Sequence, residues 1–189
     1  MARKVDFLFD PFEIAGVNKS DLDKSIVTQA LADVRDYVLE AVLSDTADLR
    51  SSVTGRPFKG LSPDYAKFKK KSGHKPVPNL EFSSDMLNSL SVIPVASGKL
   101  KLQVSPDQAD KADGHNNHSG ESKLPTRKFI PNADDDETFR PAIRSAIKDI
   151  VMVAVEKQIE KNTAGAQDDQ EIEALAKRGI KVNLRQFLG

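Results

Sequence analysis

The residues with the most chemical potential are two histidines three apart, His115 and His118, with Asp110 and Asp113 just upstream. On one helical turn such a pair faces the same way and can share a metal ion. Gly114 and Gly120 argue against a helix there, so solvated loop histidines are the stronger reading. The third histidine, His74, lies in another Gly/Pro-rich stretch. Asp134, Asp135, Asp136 and Glu137 form an acidic run that could attract Ca²⁺ or Mg²⁺. It lacks the alternating ligands, central Gly and distal Glu of a calcium loop. An acidic cluster at a helix N-terminus, favoured by the helix dipole, explains it better. The third group is basic. Lys67, Lys69, Lys70, Lys71 and Lys75, together with Arg50, Arg56 and Lys59, give residues 50–75 eight basic side chains against one acidic, Asp64. Such a run can contact phosphate, or it can form a solvated face that pairs with an acidic protein surface. Tyr65 and Phe68 are spaced as core residues of one helix would be. No Gly-rich phosphate loop and no Gly-x-Ser-x-Gly elbow occurs. No catalytic residue, metal site or cofactor is expected.

Composition narrows the field further. The 189 residues carry 28 basic and 28 acidic side chains, so the formal net charge is zero. A general nucleic-acid coat protein should be strongly basic. The absence of cysteine rules out disulfides, thiolate metal sites and thiol nucleophiles. No apolar run reaches the length of a membrane span, and the first residues do not read as a signal peptide, so a cytosol-like compartment is expected.

The elements that must position these groups can be read from periodicity. Leu22, Ile26, Ala30, Val34, Val38 and Ala41 recur every three to four residues behind a capping-box variant at Ser20, predicting an amphipathic helix over 21–44. Pro63 behind Ser62 predicts a short helix over 63–71, and Ser83 or Ser84 can cap a helical turn before Leu90. Residues 91–95 and 99–105 predict an antiparallel hairpin, with Pro94 pushing the first strand to an edge. Residues 106–123 contain no Val, Ile, Leu, Phe or Met and read as a long exposed loop. After the acidic run, Pro141 opens a long helix reaching about Lys161. Residues 150–155 of it are apolar on every side, so one side is expected to meet the sheet and the other a second subunit. A linker over 162–169, a helix over 170–178 and a terminal strand or tail over 180–188 complete the chain. The predicted class is α+β: a small antiparallel sheet packed against two long helices. An N-terminal arm (1–19), a core domain (20–161) and a C-terminal arm (162–189) divide it.

Three stretches in order then carry a family pattern. Tyr65-Ala66-Lys67-Phe68-Lys69-Lys70-Lys71 is followed by Asn79-Leu80-Glu81-Phe82-Ser83-Ser84-Asp85-Met86-Leu87-Asn88-Ser89-Leu90. The hairpin and the His/Gly-containing loop come next, and then Pro125-Thr126-Arg127-Lys128-Phe129-Ile130-Pro131 before a long helix. This order resembles the tail-completion or neck proteins of tailed bacteriophages, also called phage virion morphogenesis or minor tail proteins. Asp85 stands where that family usually has Gly. The resemblance implies a structural virion protein, assembled in the host cytoplasm, that forms a ring at the head–tail junction or the top of the tail. A hexamer is favoured over a dodecamer. Implied neighbours are neck or connector and tail-terminator proteins and, transiently, the genomic DNA passing through the channel, with no membrane. The expected interface residues are Lys67, Lys69, Lys70, Lys71, Arg127, Phe129, Asp134, Asp135, Asp136, Glu137, Ile150, Val151 and Val153. Two rivals from other classes are a nucleic-acid-binding regulatory module using residues 50–75 and a metal-dependent hydrolase using His115, His118 and nearby carboxylates.

Overall fold

Alternation in the first described residues builds the outer strand of a sheet. The computed structural model describes residues 5–80, 84–95, 98–117 and 125–165. Strand β1 (Asp6–Phe9) pairs antiparallel with β3 (Lys99–Gln103), which also pairs with β2 (Ser91–Val95), giving the order β1-β3-β2. In β3, Leu100 and Leu102 are buried, with Val104 just beyond, and the alternating Lys99 and Lys101 are half-buried. β2 is an edge strand, where a proline costs no ladder hydrogen bond.

The expected N-terminal arm is corrected by this sheet. Phe7 and Phe9 share one face of β1, stack on each other and meet Phe139 edge-on, both at 5.2 Å between ring centroids. Asp10 caps a short helix, α1 (Pro11–Ala15), by accepting from the Phe12 and Glu13 amides, and it pairs with Lys19 at 2.8 Å. Gly16 ends the helix at φ 70°, a conformation that favours glycine. Phe12 is buried. Three buried phenyl groups remove enough apolar surface from water to make residues 5–17 part of the core.

Two long helices run antiparallel. α2 (Lys24–Ala47) buries Ala30, Val34, Val38 and Val42, and packs on β2 and β3. It begins three residues later than its predicted start, because Asn18 caps a separate 3₁₀ turn over Lys19–Asp21. α6 (Pro141–Gly165) buries Ile143, Ile147, Val151, Ala154 and Val155, and packs against α1 and α2. Polar groups fasten both ends of the pair. At one end Arg140 grips Asp45 through two hydrogen bonds, 2.7 and 3.0 Å. At the other, buried Gln158 accepts from the Asp23 amide at 2.7 Å and Lys161 pairs with the Asp23 carboxylate. Among the described residues no helix is long and apolar enough to cross a membrane.

Shorter helices fill the connections. α3 (Pro63–Lys71) is capped by Ser62, as its sequence predicts, and α4 (Asp85–Asn88) buries Met86 and Leu87. The predicted long loop is the second correction. Pro106–Gln108 forms a 3₁₀ turn and Ala109–Asn116 forms α5, with Ala112, Asp113 and Asn116 buried. A helix poor in apolar residues holds its place here through hydrogen-bonded polar groups rather than through area. His118, Gly120 and the rest of 118–124 lie outside the described residues, as do the predicted helix over 170–178 and the tail over 180–188.

Candidate functional site

α3 separates the basic run into two kinds of lysine. Lys67, Lys70 and Lys71 are exposed. Lys69 is only 3% exposed, and its Nζ donates to the Val77 carbonyl at 3.0 Å and to Asn79 Oδ1 at 2.9 Å. It is a clamp holding the 72–80 turn onto α3, not an interface charge, because a buried ammonium is tolerated only when its donors are met. The aromatic pair is corrected in the opposite direction. Tyr65 and Phe68 are not core residues: Phe68 is 52% exposed, and the two rings stack on the surface at 6.0 Å.

The 125–131 segment is fixed by Asn116. Its Oδ1 accepts from the Phe129 and Ile130 amides, both at 3.0 Å, and its Nδ2 donates to the Ile130 carbonyl at 2.8 Å. One side-chain amide thus imitates a strand neighbour for an extended segment that has none. The segment is held further by Arg127 N–H on the His115 carbonyl at 2.7 Å and by Ser52 Oγ on the Phe129 carbonyl at 2.6 Å. Phe129 is fully buried and belongs to the core, which removes it from the expected interface. Arg127 is 3% exposed and donates through Nε to the Lys59 carbonyl at 3.2 Å, with the Gly60 carbonyl beside Nη2. It too leaves the expected interface. Burial lowers its pKa, with Tyr65 acting weakly in the other direction.

These groups converge. Tyr65 and Lys69 of α3, Leu80, Lys111 and His115 of α5, and Arg127 line one cleft of about 40 Å³. The three stretches that carry the family resemblance therefore contribute to a single place. His115 is not a solvated loop residue. Burial first, and then the charges of Arg127, Lys111 and Lys69, push its pKa down to about 4.

The acidic run does not cap a helix start. Ala133–Asp135 forms a 3₁₀ turn, Asp136 follows at φ 53°, and α6 begins only at Pro141. Asn132 organises the turn by accepting from the Asp134 amide and donating to Asp135. Glu137 pairs with Lys128 and accepts from the Asn132 amide, so it is an internal brace. Asp134, Asp135 and Asp136 are exposed.

The apolar stretch of α6 divides as well. Val151 faces the core. Val153 is 47% exposed and Ile150 half-buried, and both line a groove of about 140 Å³ between α2 and α6, together with Ile26, Ala30 and Ala154. Val151 is thereby removed from the expected interface, whereas Ile150 and Val153 stay on an accessible surface. Spacing on its own gave no sign of the Asp45–Arg140 pair or of Phe139, since both depend on contacts between distant segments. Among the described residues no group of three His, Asp or Glu is placed to hold a metal ion. Comparison with protein-family models, curated proteins and solved structures finds no match for this chain.

Proposed function

We propose that this chain is a structural, non-catalytic subunit of a tailed-phage virion. It assembles with copies of itself into a closed ring at the head–tail junction or the top of the tail, around the channel that DNA traverses. The observation that carries this reading is a projecting apolar surface and a recessed one on the same chain. The Tyr65–Phe68 pair stands out from α3, and the groove between α2 and α6 exposes Ile150 and Val153. Exposed apolar features of this kind mark contact sites. Because the two surfaces differ, copies meet head to tail, and contacts of that type close into rings when the rotation allows. Exposed Lys70 and Lys71 pair across a subunit boundary with the acidic turn at Asp134, Asp135 and Asp136.

The family side of the proposal is supported by the convergence of the three resembling stretches on one cleft. Neck, connector and tail-terminator proteins are the partners it implies. Native mass measurement of the purified chain, alone and with neighbouring virion proteins, tests it. A defined ring of the 20.7 kDa chain is expected. A monomer that stays monomeric in both settings and binds duplex DNA in a salt-dependent way would favour the regulatory rival.

A further inference from the structure

The groove between α2 and α6 has two ends of opposite charge. The helices run antiparallel, with Asp23 beside Gln158 and Lys161, and Asp45 beside Arg140. Ser25 and Lys157 therefore lie at the end nearer the C-terminus of α6, and Asp33 and Ile150 lie at the other. Lys157 and Asp33 are both exposed, and Asp33 accepts from Gln29 Nε2 at 2.8 Å, a neutral donor that leaves its charge in place. Between these ends the lining is apolar, with Ile26 and Ala30 from α2 and Val153 and Ala154 from α6. α6 ends at Gly165, and residues 166–189 follow it in the sequence, outside the described residues. Within them Ile172, Leu175 and Ala176 recur at the three- and four-residue spacing of one helical face. Glu171 and Glu173 stand at the start of that stretch, and Lys177 and Arg178 stand at its end.

We propose that residues 170–178 dock in the groove of their own chain, antiparallel to α6. Order, length and reach point to it. Running back along α6, the segment brings Glu171 and Glu173 to Lys157 and carries Lys177 and Arg178 on to Asp33. The opposite direction sets like charges together. At roughly 1.5 Å per residue, Glu171 to Arg178 spans about 10 Å, and so does Lys157 to Ile150. Gly165 lies about 12 Å beyond Lys157 on α6. Residues 166–171 reach about 20 Å when extended, enough for that return and for the roughly 10 Å between packed helices. So short a linker holds the segment at millimolar effective concentration, which favours its own groove over that of another copy. Burying Ile172 and Leu175 against Ile26 and Val153 removes apolar surface on both sides from water. In a ring subunit this docking covers the recessed contact of the free chain until a neighbouring copy displaces it. That consequence rests on the ring reading; the docking itself does not.

The chain has no cysteine, so Ala174→Cys gives a single attachment point for a nitroxide, away from the Ile172–Leu175 face. The label goes on the full chain carrying Phe68→Asp, which keeps the groove and removes the projecting surface, so the result does not depend on whether rings form. The amide NMR signals of Ile26, Ala30 and Val153 should broaden. That of Leu43, about 15 Å along α2 from Asp33, should not. Adding Ile172→Asp and Leu175→Asp should weaken docking by about tenfold or more and remove the broadening. Lys157→Glu should weaken it about threefold, and Glu171→Lys with Glu173→Lys should recover it. Mixing the labelled chain with an isotope-enriched chain that lacks the label separates a chain's own groove from another copy's, and no broadening is expected in the second chain. Unbroadened groove signals, broadening carried to the second chain, or broadening that survives Ile172→Asp with Leu175→Asp would overturn the proposal. With Phe68 restored, the same two substitutions should lower the concentration at which rings form. Groove broadening without that shift upholds the docking and counts against the groove as a ring contact.

Discussion

Replacing Asn116 with Ala leaves two buried amides and one buried carbonyl of the 125–131 segment without a partner. Each orphaned group costs about 1–3 kcal/mol when it cannot reach water. The variant should lose about 3 kcal/mol or more of stability in urea denaturation, far beyond a typical surface substitution. A loss below ~1 kcal/mol would mean that the segment is held by something else. His115 gives a second residue-level test. Its folded pKa, about 4, lies below the 6.5 of an exposed histidine, so between those values the unfolded chain binds more protons. Stability therefore falls as pH drops from 6.5 toward 4, by on the order of 3 kcal/mol at the lower end. Unfolding curves in buffer free of sulfate and phosphate should show that slope in the native chain and a flatter one in His115→Gln. At this scale the sequence was least informative. A lysine inside a basic run gives no sign that it is buried, as Lys69 is. Asn116 stands among polar residues whose composition suggests only solvent. Both take their roles from partners that other segments deliver.

At the scale of elements, periodicity was a sound guide wherever a long face had to be covered. The α2 stripe, the α3 cap and the β2–β3 hairpin follow directly from spacing and turn chemistry. β1 and α5 did not, because one has four residues and the other almost no apolar ones. β1 is stable only because β3 supplies its ladder and Phe139 covers its rings. The Asp10–Pro11 cap signal of α1 was present in the sequence and is legible once the neighbouring phenylalanines are read as core. The division of α6 makes a prediction. Ile147→Ala should cost about 2–5 kcal/mol through lost transfer energy and a cavity, since Ile147 is fully buried. Ile150→Ala should cost clearly less, being half-buried. Val153→Ala should leave the unfolding midpoint nearly unchanged while weakening self-association. The α3 lysines divide in the same manner. Lys69→Gln should destabilise by about 1–3 kcal/mol. Replacing Lys70 and Lys71 together with Gln should change stability little, as exposed charges contribute little. A charge swap then tests their pairing across subunits. Lys70→Glu with Lys71→Glu should abolish assembly, and adding Asp135→Lys with Asp136→Lys should restore it. Folded protein that the second pair fails to rescue would remove the acidic turn from the interface.

The whole molecule is an α+β body in which a three-stranded sheet backs onto α2, α6 packs against α2 and α1, and polar pairs fasten both ends of the long helices. A neutral chain with a projecting aromatic pair at one place and an apolar groove at another is suited to meeting its own copies in sequence. The proposed head-to-tail contact would distinguish a ring subunit from a symmetric dimer or a solitary binding module, and mixing two broken subunits tests it most directly. Phe68→Asp damages the projection and leaves the groove intact, whereas Val153→Asp damages the groove and leaves the projection. Both positions are about half exposed, so both variants should fold. Native mass spectrometry should find the unaltered chain as a ring and each variant alone as a monomer. An equimolar mixture should give a dimer and nothing larger, because only one competent junction can form. A mixture that remains monomeric, or an unaltered chain that stops at a symmetric dimer, would contradict the ring.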